Sequence, residues 1–211
     1  MLYNHFKMYS YLLMLLIFVA SITTAVFLVT NMSVLYAIHL NLFHPEIFNK
    51  YSSYKIFLAY DSIIKYLQSP FINTMNLAPF HLSKSGIFHF LDVKRLILFN
   101  NFLMLSSILL LYKMYTKVLI LHKRWILIQP LKFLNLFIYL FVVLCLTDFQ
   151  SFLYFFHKLI FTNDYWIFDS KLDSLINILP MDFFTQSFIL IFLFILFVNY
   201  LFIAYGKRDI K

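Results

Sequence analysis

Four stretches of this chain, residues 9–31, 96–115, 131–152 and 183–205, are long and apolar enough to cross a bilayer as helices, which takes about 20 residues each. No other feature constrains the fold as strongly. The first and fourth runs carry no charge, the second holds Lys113 near its end, and the third holds Asp148 near its far end. Only 12% of the 211 residues are charged and the mean hydropathy is +0.83. A soluble domain carries roughly 25% charged residues, so a soluble fold here would expose more apolar surface than water tolerates. The chain therefore reads as an all-α integral membrane protein, one membrane domain over residues 1–211 with four transmembrane helices. The connections 32–95 and 153–182 form an extracellular helical cap.

Basic residues set the orientation through the positive-inside rule. Lys7 precedes the first run, Lys117, Lys123, Arg124 and Lys132 lie between the second and third, and Lys207, Arg208 and Lys211 end the chain. Both termini are thus expected in the cytoplasm. The connection 32–95 runs against the rule, with Lys50, Lys55, Lys65, Lys84, Lys94 and Arg95. Its length approaches that at which charge stops deciding translocation. The first run is too long for a removable signal peptide and reads as a retained span. The +8 net charge is spent on topology and on snorkelling at span ends, so no nucleic-acid partner is expected.

The composition excludes several chemistries. Two glycines leave no dinucleotide or P-loop fingerprint, and no Gly-x-Ser-x-Gly elbow exists. The single cysteine, Cys145, reads as a small buried hydrophobe. No cofactor is expected. From Pro45 to Pro70 a helical spacing of Ile47, Phe48, Tyr51, Tyr54, Phe57, Leu58, Ile64, Tyr66 and Leu67 predicts one amphipathic helix lying at the interface.

Two histidines stand out by position. His89 lies just before the second run and His157 just after the third, which puts both at the outer edge of the hydrocarbon. Imidazoles trade protons near neutral pH, and lipid ester groups lie at that depth. Phe88, Phe90, Phe155, Phe156, Phe161, Tyr165 and Trp166 surround them in sequence, either as a pocket or as an interfacial aromatic belt. Asp164, Asp169 and Asp173, which follow His157, are candidates to orient an imidazole or bind an ammonium. Helix capping is the alternative for Asp169 and Asp173. His5, His39, His44, His81 and His122 read as surface or structural groups. Three functions stay open on these residues: an acyl-transfer enzyme, a non-catalytic membrane subunit or chaperone whose cap binds a partner, and a zinc-dependent enzyme using the two histidines with an aspartate.

One segment reads Ser83, Gly86, His89, Phe90, Asp92, Val93 and Lys94. A second reads Phe156, His157, Phe161, Trp166, Asp173, Leu175, Ile176, Pro180, Phe183 and Phe184. In order and spacing they resemble the two signatures of the lipoprotein intramolecular transacylases, small Gram-positive integral membrane proteins. Tyr66 and Leu67 fit as well, and the likeness covers essentially the whole chain. It implies that His89 and His157 are catalytic. On this reading Asp92, Phe156, Phe161, Trp166 and Asp173 contact substrate. The implied substrate is a bacterial lipoprotein whose N-terminal cysteine carries a diacylglyceryl group. The sn-2 acyl chain moves to the α-amino group of that cysteine and leaves a lyso-form lipoprotein, at the outer face of the cell membrane.

Overall fold

Apolar segments become helices because lipid offers no partner to backbone N–H and C=O groups, and a helix satisfies them internally. The computed structural model describes the backbone of residues 2–210 and the side chains of residues 7–210. The side chain of His5 and all of Lys211 lie outside the described residues. Among the described residues eight α-helices follow one another: α1 (Leu2–Asn31), α2 (Ser33–Phe43), α3 (Ile47–Lys50), α4 (Ser53–Gln68), α5 (Lys84–Ile120), α6 (Ile128–Thr147), α7 (Phe149–Ile160) and α8 (Met181–Lys207). Short 3-10 turns cover Arg124–Leu127 and Ser174–Ile178, and there is no strand among the described residues. Four segments are long and apolar enough to span a membrane: Lys7–Asn31, Lys84–Ile120, Arg124–Thr147 and Met181–Lys207.

Two of these differ from the expected bounds. The second helix begins at Lys84, twelve residues before the apolar run. At 37 residues it is roughly 55 Å long, well beyond the ~30 Å of hydrocarbon, so His89 rides on a continuation of a spanning helix. The third stops at Thr147. There the Asp148 carboxylate accepts a hydrogen bond from Ser151 N at 3.0 Å, an N-cap that starts α7 as a separate helix carrying His157.

The chain packs into two compact units. The first comprises residues 1–26, 100–147 and 188–211, around a core of Leu13, Ile17, Val118, Leu127, Ile128, Leu131 and Ile203. Several of its polar side chains donate to one another or to the backbone. Asn199 Nδ2 donates to Asn135 Oδ1 at 2.7 Å, Asn100 Nδ2 to Thr23 O at 3.0 Å, and the Tyr9 hydroxyl to Met114 O at 2.8 Å. Asp209 clamps Arg124, accepting from its backbone N at 2.7 Å and from its guanidinium. Cys145 is buried, as a small hydrophobe should be.

The second unit comprises residues 27–99 and 148–187. Its core joins Tyr36 and Leu40 of α2, Ile56, Tyr60, Ile63, Tyr66 and Leu67 of α4, Phe80, Phe90, Leu175, Ile178 and Phe183. Tyr36 stacks on Tyr60 with ring centroids 3.8 Å apart, and its hydroxyl donates to Ile178 O at 2.6 Å. The single helix expected from Pro45 to Pro70 is two. The chain is extended at Tyr51 and restarts at Ser53, which rotates the buried face onto Ile56, Ala59, Tyr60 and Ile63. Tyr54 and Leu58, expected on that face, are exposed.

Candidate active site

His89 and His157 face each other, with ring centroids 5.6 Å apart and planes inclined by 40°. His89, on the second turn of α5, is 6% exposed. Its Nδ1 is buried with no hydrogen-bond partner. His157 lies on the last turn of α7, where its Nδ1 is 2.7 Å from Leu153 O. A carbonyl oxygen only accepts, so Nδ1 carries the proton. In the neutral ring, Nε2 then holds a free lone pair.

Aromatic rings enclose the pair. Phe161 touches both imidazoles, at 5.0 Å from His89 and 5.7 Å from His157. Trp166 lies 5.1 Å from His157, its plane inclined by 31°, and Phe156 stands edge-on at 5.7 Å. Phe168, which sequence reasoning passed over, packs 5.5 Å from His89. Of the other expected aromatics, Phe90 is buried beside His89, Tyr165 pairs with Phe88 at 5.5 Å, and Phe155 is 67% exposed.

The carboxylates take different places. Asp92 Oδ2 accepts from Asn163 Nδ2 at 3.0 Å, and Asp92 Oδ1 pairs with Arg95 Nη1 at 3.1 Å. Asn163 in turn accepts the Trp166 indole N–H on its carbonyl at 2.9 Å, so one polar chain runs from Asp92 to the ring over His157. Asn163 sits in a turn-like stretch with no sequence signal to single it out. A depression of about 220 Å³ opens here, lined by Asp92, Arg95, Leu96, Ile160, Phe161, Thr162 and Asn163.

Asp173 is 2% exposed and engaged with backbone: Oδ1 accepts from Ser83 N at 2.7 Å and Oδ2 from Asp169 N at 3.2 Å. It precedes the 3-10 turn Ser174–Ile178 without capping it through its side chain. Its bond to Ser83 supports the start of α5, where Ser83 Oγ accepts from Gly86 N at 3.1 Å. Gly86 is required by close approach. A Cβ there would lie 2.8 Å from Asp173 Oδ1 and 3.2 Å from Phe168 Cε1. Lys94, buried, donates to Ile72 O and sits 4.4 Å over the Tyr66 ring, which ties the end of α4 to the first signature on α5.

Among the described residues, no hydroxyl or thiol is hydrogen-bonded to Nδ1 of either imidazole. The arrangement offers two proton-handling rings in a largely apolar enclosure, and among the described residues no aspartate joins them in a group fit to hold a metal ion.

Comparison with known proteins bears on the family and the fold. The sequence profile of the family described as "Lipoprotein intramolecular transacylase Lit" matches residues 11–184. Among solved structures, the membrane integral lipoprotein intramolecular transacylase Lit from Bacillus cereus superposes with a TM-score of 0.85. It is 24% identical, over 99% of this chain and 97% of that one. The same protein with a histidine replaced by arginine gives 0.81 at 25% identity, over 100% and 94%. With a histidine replaced by alanine it gives 0.83 at 24%, over 99% and 94%. No curated protein matches.

Proposed function

Because the chain belongs to the lipoprotein intramolecular transacylase family, an acyltransferase family of the membrane, we propose that His89 and His157 carry out an O-to-N acyl shift on the lipid anchor of a lipoprotein. The substrate is an N-terminal cysteine bearing a diacylglyceryl group. His157 Nε2 takes a proton from the α-ammonium. The freed amine attacks the sn-2 ester carbon, and a C–N bond forms as the carbonyl becomes an oxyanion. When the intermediate collapses, the ester C–O bond breaks and the glyceryl oxygen leaves as a hydroxyl, protonated through His89. One amine proton ends on that hydroxyl and the other is released to solvent. An ester becomes an amide, so no activated co-substrate is needed.

The observation that carries this reading is the pairing of the two rings, with Leu153 O holding His157 in the tautomer a general base requires. Such acid–base help contributes typically 10²–10⁴-fold. The rest of the barrier is geometric. The attack closes a medium ring through N, Cα, Cβ, S, two glyceryl carbons, the ester oxygen and the carbonyl carbon. A flexible chain closes such a ring poorly, and an enclosure that selects one conformer contributes strongly. Phe161, Trp166 and Phe156 supply its walls, Asp92 at the rim of the depression faces the ammonium, and Asp173 positions the first turn of α5. The basic residues named above put both termini in the cytoplasm and the histidines at the outer face, where lipoproteins are anchored.

The test is a synthetic diacylglyceryl lipopeptide with the protein in bilayers. The shift conserves mass, so the readout is loss of the free amine together with an acylated N-terminal fragment ion. His89→Ala and His157→Ala should each lower the rate by about 10²–10⁴-fold. If either folded variant kept the parent rate, the assignment would fail.

A further inference from the structure

A second cluster of ligating groups lies in the same unit, and the proposed acyl transfer leaves it unused. His39 is on the last turns of α2, His44 directly follows that helix, and Asp182 is in the first turn of α8. His39 is 1% exposed. Its Nδ1 is 2.8 Å from Gln186 Oε1, an oxygen that only accepts, so Nδ1 carries the proton. Its Nε2 is then a bare lone pair, buried and without a hydrogen-bond partner. The atom it faces is Asp182 Oδ1 at 3.5 Å, another acceptor. Two acceptors aimed at one another, one of them fully buried, call for a cation between them.

His44 completes the set. Its Nε2 lies 2.8 Å from Asp182 Oδ2 and 3.1 Å from Oδ1. Its Nδ1 is engaged by Glu46 Oε1 at 3.1 Å. Each histidine thus has its Nδ1 fixed by an acceptor, while its Nε2 turns toward the same carboxylate. This is the outer-shell arrangement that orients imidazoles on a metal.

We propose that His39 Nε2, His44 Nε2 and the Asp182 carboxylate bind one divalent cation of zinc type, with water in the fourth position. Two imidazoles and one carboxylate suit zinc. The three ligating atoms lie within 4.8 Å of one another. A tetrahedral ion with ~2.0–2.1 Å bonds sets its ligands roughly 3.3 Å apart. The His39 Nε2–Asp182 Oδ1 and His44 Nε2–Asp182 Oδ1 separations, 3.5 and 3.1 Å, lie on either side of that value, and the two imidazoles have at most about 1.5 Å to close. His44 and Asp182 are partly exposed, which gives the ion access from solvent, while buried His39 anchors it. Binding displaces the proton on His44 Nε2. The ion ties the end of α2 to the start of α8, whose neighbour Phe183 packs on Tyr36 and His39.

The inference is independent of the catalytic assignment, and its readout is binding. Tag-free, full-length protein in detergent is stripped with a chelator, exchanged into metal-free buffer and titrated with Zn²⁺ against a chromophoric competitor. One equivalent should bind and raise the melting temperature. Co²⁺ should give the intense visible absorption of a tetrahedral site. His44→Ala and Asp182→Asn should each weaken binding by more than ~100-fold, and Glu46→Gln by about 10-fold, as losing an outer-shell partner does. His81→Ala should bind like the parent. His39→Gln should abolish the cobalt spectrum. Should that buried variant fail to fold, the two more exposed ligand variants still decide the matter. Sub-stoichiometric zinc, or His44→Ala binding as tightly as the parent, would overturn the site and leave only a hydrogen-bonded link between two helix ends.

Discussion

Gly86→Ala probes whether the first turn of α5 is held by close packing. A methyl group at this position would lie 2.8 Å from Asp173 Oδ1, 3.0 Å from Leu82 Cδ2 and 3.2 Å from Phe168 Cε1. The carboxylate cannot retreat without lengthening its 2.7 Å bond from Ser83 N. Losing a hydrogen bond to a charged acceptor costs about 1.5–3 kcal/mol. Inserting a methyl into packed surroundings costs about 1–3 kcal/mol. Against these, alanine is the better helix former by about 1 kcal/mol. The net is a loss of about 1.5–5 kcal/mol. At roughly 2–4 °C per kcal/mol for a chain of this size, melting in detergent should fall by at least about 3 °C. Activity on the lipopeptide should fall as well, because Phe168 is pressed against His89. Removing the obstacle in Gly86→Ala/Asp173→Ala should make the two changes non-additive, since the residues are in contact. A Gly86→Ala protein that melts at or above the parent temperature would refute the packing argument, since propensity alone would then have decided the outcome.

Three further outcomes follow from other parts of the structure. Asp92→Asn keeps the shape of the chain from Asn163 to Trp166 and removes the charge facing the ammonium, so KM should rise while kcat stays within about 3-fold; a kcat loss on the scale of the histidine variants would place Asp92 in the proton transfers instead. Bonding from Ser151 holds the Asp148 carboxyl below the ordinary carboxylate range. Its cap on α7 is therefore complete above the unfolded pKa and lost as pH falls through the folded one, so protection of the α7 amides from hydrogen exchange should drop in acid, and Asp148→Asn, whose amide does not titrate, should remove that drop. Asp209→Ala leaves the Arg124 backbone N–H and guanidinium without their acceptor, and limited proteolysis should then cut near residue 124 faster than in the parent.

The spans are legible because hydropathy over about 20 residues is the strongest signal a chain carries. The start of α5 is not, because Lys84, Asp92, Lys94 and Arg95 break the apolar run. In the fold three of these charges find partners: Lys94 meets Ile72 O and the Tyr66 ring, and Asp92 meets Asn163 and Arg95. A charged helical turn is tolerable when the rest of the chain returns to satisfy it, and a local reading cannot see that return. The same limit explains α4, where a two-residue break at Tyr51 and Ser52 turns the helix by a fraction of its circumference and exchanges exposed for buried positions. His89 and His157 could be singled out because each stands beside an apolar run. His39 and Asp182 are 143 positions apart, and nothing near either one announces the other.

The choice of side chains follows from what the substrate already contains. A transferase that moves an acyl group between two molecules needs a nucleophile of its own to hold the acyl group in transit, or two binding sites brought together. Here the ester and the amine belong to one cysteine, so the enzyme has only to move protons and select a conformer. The site matches that short requirement. Among its described residues the imidazoles are not backed by a carboxylate: the hydrogen-bond partner of His157 is a main-chain carbonyl, while Asp92 and Asp173 are engaged with Asn163, Arg95 and backbone amides. A neutral carbonyl fixes the tautomer without adding a negative charge to an apolar enclosure, where an unpaired charge is costly. Rings such as Phe161 and Trp166 then limit the conformers open to a lipid head while making few polar demands on it. On the proposed assignment, that division between proton handling by two histidines and confinement by aromatic rings lets a chain with only 12% charged residues carry this chemistry.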